Sequence, residues 1–296
     1  MSVYATRAGV GILSEELKGA DDRLFIDQRF DGRTLREGTY VHCTFANVSF
    51  LRSRLERVRF TACVFEGCYF RETILTECTF SASRFIECEF VKPTIVACDF
   101  RNARFRGCYP PLSQLEECLP GEPNLRATLT SNLAFAAESA GDSVEARKYL
   151  LESIRANEQH LLAAFHAQTA YYRSHFPSSL DRILALLRFG WSRTNGFIWG
   201  YGERGMALLR TVLIVVLIVW PALLWMARPD ISDSVGHQPN AGDIFWLSAA
   251  SLIGNSALTG LNVGGLARAM VISEQAVGLL LFGLFVTYVY RYVTRR

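Results

Sequence analysis

The side chains best suited to chemistry in this 296-residue sequence are eight cysteines and a small oxygen-bearing set near the C-terminus. Cys43, Cys63, Cys68, Cys78, Cys88, Cys98, Cys108 and Cys118 are all separated by multiples of five residues. Thiols in such a line could bind a soft metal or exchange disulfides. Two features argue against this: no CxxC pair occurs, and Val48, Val58, Ser83 and Ala103 fill equivalent places in the same register without ligand capacity. Cysteine there acts as a small buried hydrophobe, and neither a metal site nor a cofactor is expected. His160 and His166 are accompanied by no second ligand set. The oxygen-bearing set is Gly254, Asn255, Ser256, Thr259, Gly260, Asn262 and Glu274, embedded in apolar sequence. Carbonyls, amides and hydroxyls of this kind can stand in for the water around an ion. A carboxylate in such surroundings serves either that purpose or a hydrogen bond between packed helices. No nucleophile elbow, phosphate-binding loop, paired metal motif or carboxylate dyad is present, so no catalytic residue and no enzyme is expected.

The elements that must position these groups differ between the two ends of the chain. Overall charge singles out no partner: 31 Lys and Arg against 28 Asp and Glu leave +3, far from a nucleic-acid-binding excess. Residues 1–27 form a lead segment without the basic start and apolar core of a signal peptide. From Phe30 a large apolar residue recurs at every fifth position through Leu35, Tyr40 and Phe45 to Phe105, lapses at Pro110 and returns at Leu115. Five matches neither the 3.6 of a helix nor the 2 of a strand. It suits a chain that turns a corner every five residues, giving a square coil of twenty residues per turn. Successive turns would stack at about 4.8 Å. In steps of twenty, Leu35, Leu55, Leu75, Ile95 and Leu115 make an aliphatic column, and the other three columns are mostly aromatic.

Stretches such as TECTFSASRFIECEF resemble the pentapeptide-repeat family, which implies a right-handed quadrilateral β-helix over residues 28–119. Some members of that family are acidic rods that imitate DNA. Here residues 30–119 carry twelve basic against eleven acidic side chains, so the single-sign field of a DNA mimic is missing.

After CLPGEP the period of five ends, and residues 120–177 read as a cytoplasmic helical hairpin. Leu125, Leu129, Leu133 and Ala136 share one face of its first helix. Asp142, with Glu145 completing a capping box, starts a second helix that runs to about Tyr172. Residues 178–296 read as an α-helical membrane domain. In SSLDRILALLRF, Leu180, Ile183, Leu184 and Leu187 form one stripe, and Trp191, Phe197, Trp199 and Tyr201 follow, the pattern of a helix lying on a bilayer surface. A first span covers about residues 207–227, with Pro221 kinking or ending it, and a second covers about 269–293, with Gly278 and Gly283 allowing close helix packing. Arginines gather before the first span and after the second, while only Arg228 and Arg268 lie between, which puts both termini in the cytoplasm.

Between the spans, a pore loop is expected at about residues 243–265: a short apolar helix broken at Gly254, too short to cross. The order span, half-helix, turn, span resembles the two-transmembrane ion-channel family that includes bacterial potassium channels. Trp246, Ser248 and Ser251 sit where that family's pore helix lies, and Glu274 with Gly278 resembles the acidic residue and glycine at the start of its inner helix. The resemblance implies four subunits around a pore. The filter position reads IGNSALTGLN rather than a TVGYG-like stretch, so the resemblance does not extend to potassium selectivity and the permeant ion is left open. A GYGE at residues 200–203 precedes the first span and cannot be the filter. The expected function is therefore a homotetrameric ion channel of the inner (cell) membrane. Its repeat domain would serve assembly, regulation or a cytoplasmic protein partner, with no nucleic acid involved. The alternative is a membrane-anchored pentapeptide-repeat scaffold that binds protein partners.

Overall fold

A chain that turns a corner every five residues needs a backbone conformation that repeats every five. From Asp22 to Gly107, every fifth residue has a left-handed φ between 48° and 65°. Only Gly32, Gly67 and Gly107 in that series are glycines, and the rest, such as Glu37, Arg57, Ala62 and Glu87, hold a conformation costing an L-residue about 1–2 kcal/mol. From Asp22 to Glu87 each corner is repaid by a hydrogen bond to the next turn: the N–H groups of Glu37, Asn47, Arg57 and Glu87 donate to carbonyls nineteen residues ahead at 2.8–3.0 Å.

The computed structural model describes residues 9–10, 18–202, 205–232, 237–252, 254 and 259–294. The chain forms two compact units, residues 1–186 and 187–296.

In the first unit three parallel sheets form three sides of the coil. One stacks Arg23–Ile26, Thr44–Ala46, Val64–Glu66, Arg84–Ile86 and Arg104–Arg106, with Phe45 facing Phe65 and Phe85 facing Phe105. The second stacks Thr34–Arg36, Arg54–Glu56, Ile74–Thr76 and Thr94–Val96, and the third Gly19–Asp21, Thr39–Val41 and Arg59–Thr61. Single bridges such as Ser49 to Tyr69 and Tyr69 to Glu89 link the fourth side. Among these strands every register step is twenty residues, as the columns require, and Gly9–Val10 adds to the first sheet beside Arg23–Leu24 at a step of fourteen. Inside, Phe25, Phe45, Phe65, Phe85 and Phe105 stack near-parallel at 4.7–4.9 Å between ring centroids. Such a stacked pair contributes about 0.5–1.5 kcal/mol beyond the area it buries.

The coil starts earlier than the repeat register indicates. Phe25 is buried beneath Phe45, and Ala20 lies opposite Tyr40, so residues 19–27 belong to the coil and not to a lead segment. The register is hidden there because Arg23 occupies the small-residue slot before Phe25, and Ala20 stands where a large residue is the rule.

All eight cysteines are buried and unbridged. The thiols of Cys63, Cys68 and Cys88 donate to the carbonyls of Tyr40, Phe45 and Phe65 at 3.2–3.4 Å. Ser53, Thr73 and Ser83 do the same to Phe30, Phe50 and Phe60 at 2.7–3.0 Å. The slot thus selects small side chains rather than ligands, Val48, Val58 and Ala103 filling it without a donor, and burial pushes the Cys88 thiol up from its ordinary value.

Helices follow the coil: α1 (Leu112–Leu115), α2 (Pro123–Ser139), α3 (Ser143–His166), α4 (Ala170–His175) and α5 (Ser179–Trp199). The second helix of the hairpin stops at His166, short of the expected Tyr172, because Ala167 turns left-handed at φ 48°. Asp142 caps α3, accepting from Val144 N and Glu145 N at 3.1 and 3.0 Å. Glu145 does not return the bond as a capping box would. Its Oε2 instead accepts from Leu112 N at 3.0 Å, tying α3 to the chain that leaves the coil.

In the second unit, α6 (Gly205–Ile214), a π-helical turn (Val215–Val219) and α7 (Trp220–Met226) make one apolar stretch, and α9 (Gly265–Thr294) another. Both are long and apolar enough to cross a membrane, and most of each is exposed in the single chain, unlike the core helix of a soluble protein. Pro221 does not end the first of them. It sits in the first turn of α7, where its missing N–H is tolerated, directly after the π-turn. The second begins at Gly265, four residues before the expected start. Gly278 meets the expectation of close packing, since a Cβ there would lie 2.7 Å from the Leu252 carbonyl oxygen, whereas Gly283 faces open space.

Candidate functional site

Between the two apolar stretches lies α8 (Ala241–Leu252), twelve residues long and about 18 Å at 1.5 Å per residue, too short to cross. Asn240 and Asp243 cap its start reciprocally at 2.9 Å. Gly254 follows with φ 80° and donates its N–H to the Ser251 carbonyl at 2.8 Å, which turns the chain off the helix. The return is made by Asn262–Val263, antiparallel to Ile231–Ser232. Asp230 secures this return: its carbonyl accepts from Gly264 N at 2.9 Å, and its carboxylate accepts from Leu266 N in the first turn of α9 at 2.7 Å. The Ile231, Leu224, Ile244, Leu247, Ala267 and Val271 side chains fill the space beneath.

Of the sequence-selected residues, Gly254, Gly260 and Asn262 are exposed, and Thr259 is half-buried with its Oγ1 accepting from Leu261 N at 3.4 Å. Gly260 has φ 67°, a second glycine-dependent turn. Asn255 and Ser256 lie outside the described residues.

Glu274 is fully buried against α8, where Ser248 Oγ donates to its Oε1 at 2.6 Å. This is the hydrogen bond between packed helices that one of the two sequence readings of this carboxylate expects. Its Oε2 is buried with no hydrogen-bond partner among the described residues. Ser251, also buried, donates to the Leu247 carbonyl at 2.7 Å, and Trp246 is exposed. A buried polar group without partners is expensive, so the Ser248–Glu274 pair fixes the half-helix on α9 in one arrangement.

Sequence reasoning missed the joint between α5 and α6. Arg210 donates to the Phe197 carbonyl at 2.5 Å with its guanidinium 4.4 Å from the Phe197 ring, and Thr211 Oγ1 donates to the Ile198 carbonyl at 2.7 Å. An arginine three residues into an apolar run was the available signal, since it must find a partner near the helix end. In the first unit, Asp21, Asp22 and His42 approach one another closely enough to share an ion, but all three are exposed at a coil corner, as ordinary surface charges are.

Residues 39–115 match the family model described as pentapeptide repeat region. A search of curated proteins finds no match. Among solved structures, a pentapeptide repeat protein from the cyanobacterium Cyanothece 51142 is 10% identical over 32% of this chain and 78% of its own, with a TM-score of 0.30. QnrB1, a plasmid-mediated fluoroquinolone resistance protein, is 12% identical over 30% of this chain and 59% of its own, at 0.19. A pentapeptide repeat protein of the Arabidopsis thaliana thylakoid lumen is 12% identical over 38% and 86%, at 0.18. Scores this low carry no argument beyond the coil itself, which stands on its twenty-residue register and the family match. The first unit therefore contains a pentapeptide-repeat region.

Proposed function

We propose that the protein is an ion channel of the inner (cell) membrane, with the second unit forming the pore and the pentapeptide-repeat unit serving assembly or regulation on the cytoplasmic side. The observation that carries this reading is α8. A half-helix of twelve residues, ended by Gly254 and held by a buried Ser248–Glu274 hydrogen bond between two membrane-length helices, has no purpose in a simple anchor. The arginine distribution favours cytoplasmic termini.

A pore between subunits fits this reading, since a crevice of about 690 Å³ among the described residues of one chain is lined by Met206, Val212, Leu252, Phe282 and other apolar groups that cannot replace an ion's water. A homotetramer places four α8 turns around one axis, so Gly254, Asn255, Ser256, Thr259, Gly260 and Asn262 are the groups offered to permeant ions. Glu274 acts as the positioning residue behind them.

The test is ion flux from liposomes containing the purified full chain. Replacing Glu274 by Gln keeps an acceptor for Ser248 and should preserve flux, whereas Glu274→Leu leaves that hydroxyl unpaired, costs about 1–3 kcal/mol and should lower flux sharply. A protein that passes no ions and is monomeric in detergent would instead be an anchored scaffold.

A further inference from the structure

We propose that α5 is a membrane-surface helix that recognises anionic lipid headgroups. This rests on reading α6–α7 and α9 as membrane spans, and extends that reading by assigning a ligand class to a helix outside the pore.

In this helix of 21 residues only Ala185 is buried. Leu180, Leu184, Leu187 and Trp191, at positions i, i+4, i+7 and i+11, make one stripe and are 70%, 50%, 63% and 70% exposed. Water is a poor neighbour for such a row, and something apolar must cover it. Three features point to lipid. At 100° per residue the exposed Ile183 and Leu186 widen this stripe into one apolar face, with Arg188 beside its Leu184 edge and Arg193 beside its Leu186 edge, which is how basic side chains flank a helix lying at the headgroup boundary. Asp181 is the only acid in the helix, against three arginines, so the charge complements phosphate rather than a basic protein. The C-terminal end of α5 is also fastened to the start of the first apolar stretch. Gly200 and Tyr201 make a left-handed elbow at φ 61° and 58°, and Arg210 and Thr211 hold the Phe197 and Ile198 carbonyls across it. A helix clamped where the chain enters the bilayer has lipid headgroups beside it.

The experiment uses the full chain in nanodiscs containing lipids brominated on the acyl chains, and reads the Trp191 emission as the difference between wild type and Trp191→Phe. Trp191 should be quenched. Brominated phosphatidylglycerol, at equal mole fraction, should quench it about two-fold or more beyond brominated phosphatidylcholine, and the Arg188→Gln/Arg193→Gln pair should abolish that excess. Equal quenching by the two lipids overturns the anionic recognition. An unquenched Trp191 beside quenched Trp220 and Trp225 also overturns it, and means that protein covers the stripe while the spans stand. If no tryptophan is quenched, the membrane reading falls with it. Flux plays no part in this test, so a lipid-bound but non-conducting protein would uphold α5 and sink the channel.

Discussion

Single side chains finish what the repeat cannot. The last strand of a solenoid leaves a row of unpaired backbone groups, a template for aggregation. At Phe105 this is met by Asn132 of α2, whose Oδ1 accepts from the Phe105 N–H at 2.7 Å while its Nδ2 donates to the Phe105 carbonyl at 3.1 Å, as a neighbouring strand would. Asn132→Ala should therefore cost about 1–3 kcal/mol and promote aggregation, read as a lower denaturation midpoint of the β-sheet circular dichroism signal and a rise in light scattering. Asp142 is similarly placed: the Glu145 N–H above all, with the Tyr109 hydroxyl at 2.8 Å, holds its carboxyl below the ordinary carboxylate range. A depressed folded value means that this stabilisation is complete above the unfolded value of about 3.9 and fades as pH falls below it. Asp142→Asn, which keeps a good helix cap, should flatten the acid-side fall of the melting temperature. None of these long-range partners is legible in sequence, since Phe105 and Asn132 are separated by twenty-seven residues and nothing local marks the amide as a strand substitute.

The square coil, by contrast, was legible almost whole, because one constraint recurs in every turn: a large residue inward, a small residue two places before it, and a left-handed corner two places after. Where the inward pattern broke at Ala20 and Arg23, the backbone kept its path, since hydrogen bonds such as Asp22 N to Val41 O and Asp27 N to Ala46 O do not depend on side chains. The same independence makes a sharp prediction. Deleting residues 64–83, one complete turn, joins Cys63 to Arg84 without changing the register and should leave a folded protein with a modestly lower melting temperature. Deleting residues 64–81 moves every later column off its stack, and should abolish the cooperative β-sheet transition. Helix ends were read less well. The start of α9 at Gly265 depends on Asp230, thirty-six residues before Leu266, reaching across to its first turn, and a Cβ on Gly265 would lie 2.5 Å from that carboxylate.

Taken whole, the molecule divides its apolar surface by purpose. The repeat unit hides nearly all of its Phe columns, Phe45, Phe65 and Phe80 being wholly buried and Phe90 partly so, while the second unit shows Leu279, Leu280, Phe282 and Phe285 on α9. Composition made that contrast readable, because long uncharged runs cannot be covered by one another in so short a segment. The arrangement of Ser248 and Glu274 was beyond it, since apolar sequence tells where a helix can lie but not which of its polar residues face each other.

One consequence follows from the closing amide at Asn132. Because it pairs with backbone rather than with any particular side chain, it would fit the end of a shorter or longer coil equally well. Gene duplication could then lengthen this rod in increments of about 4.8 Å, one tier at a time, carrying the hairpin outward like the jaw of a caliper while the stop itself stays unaltered.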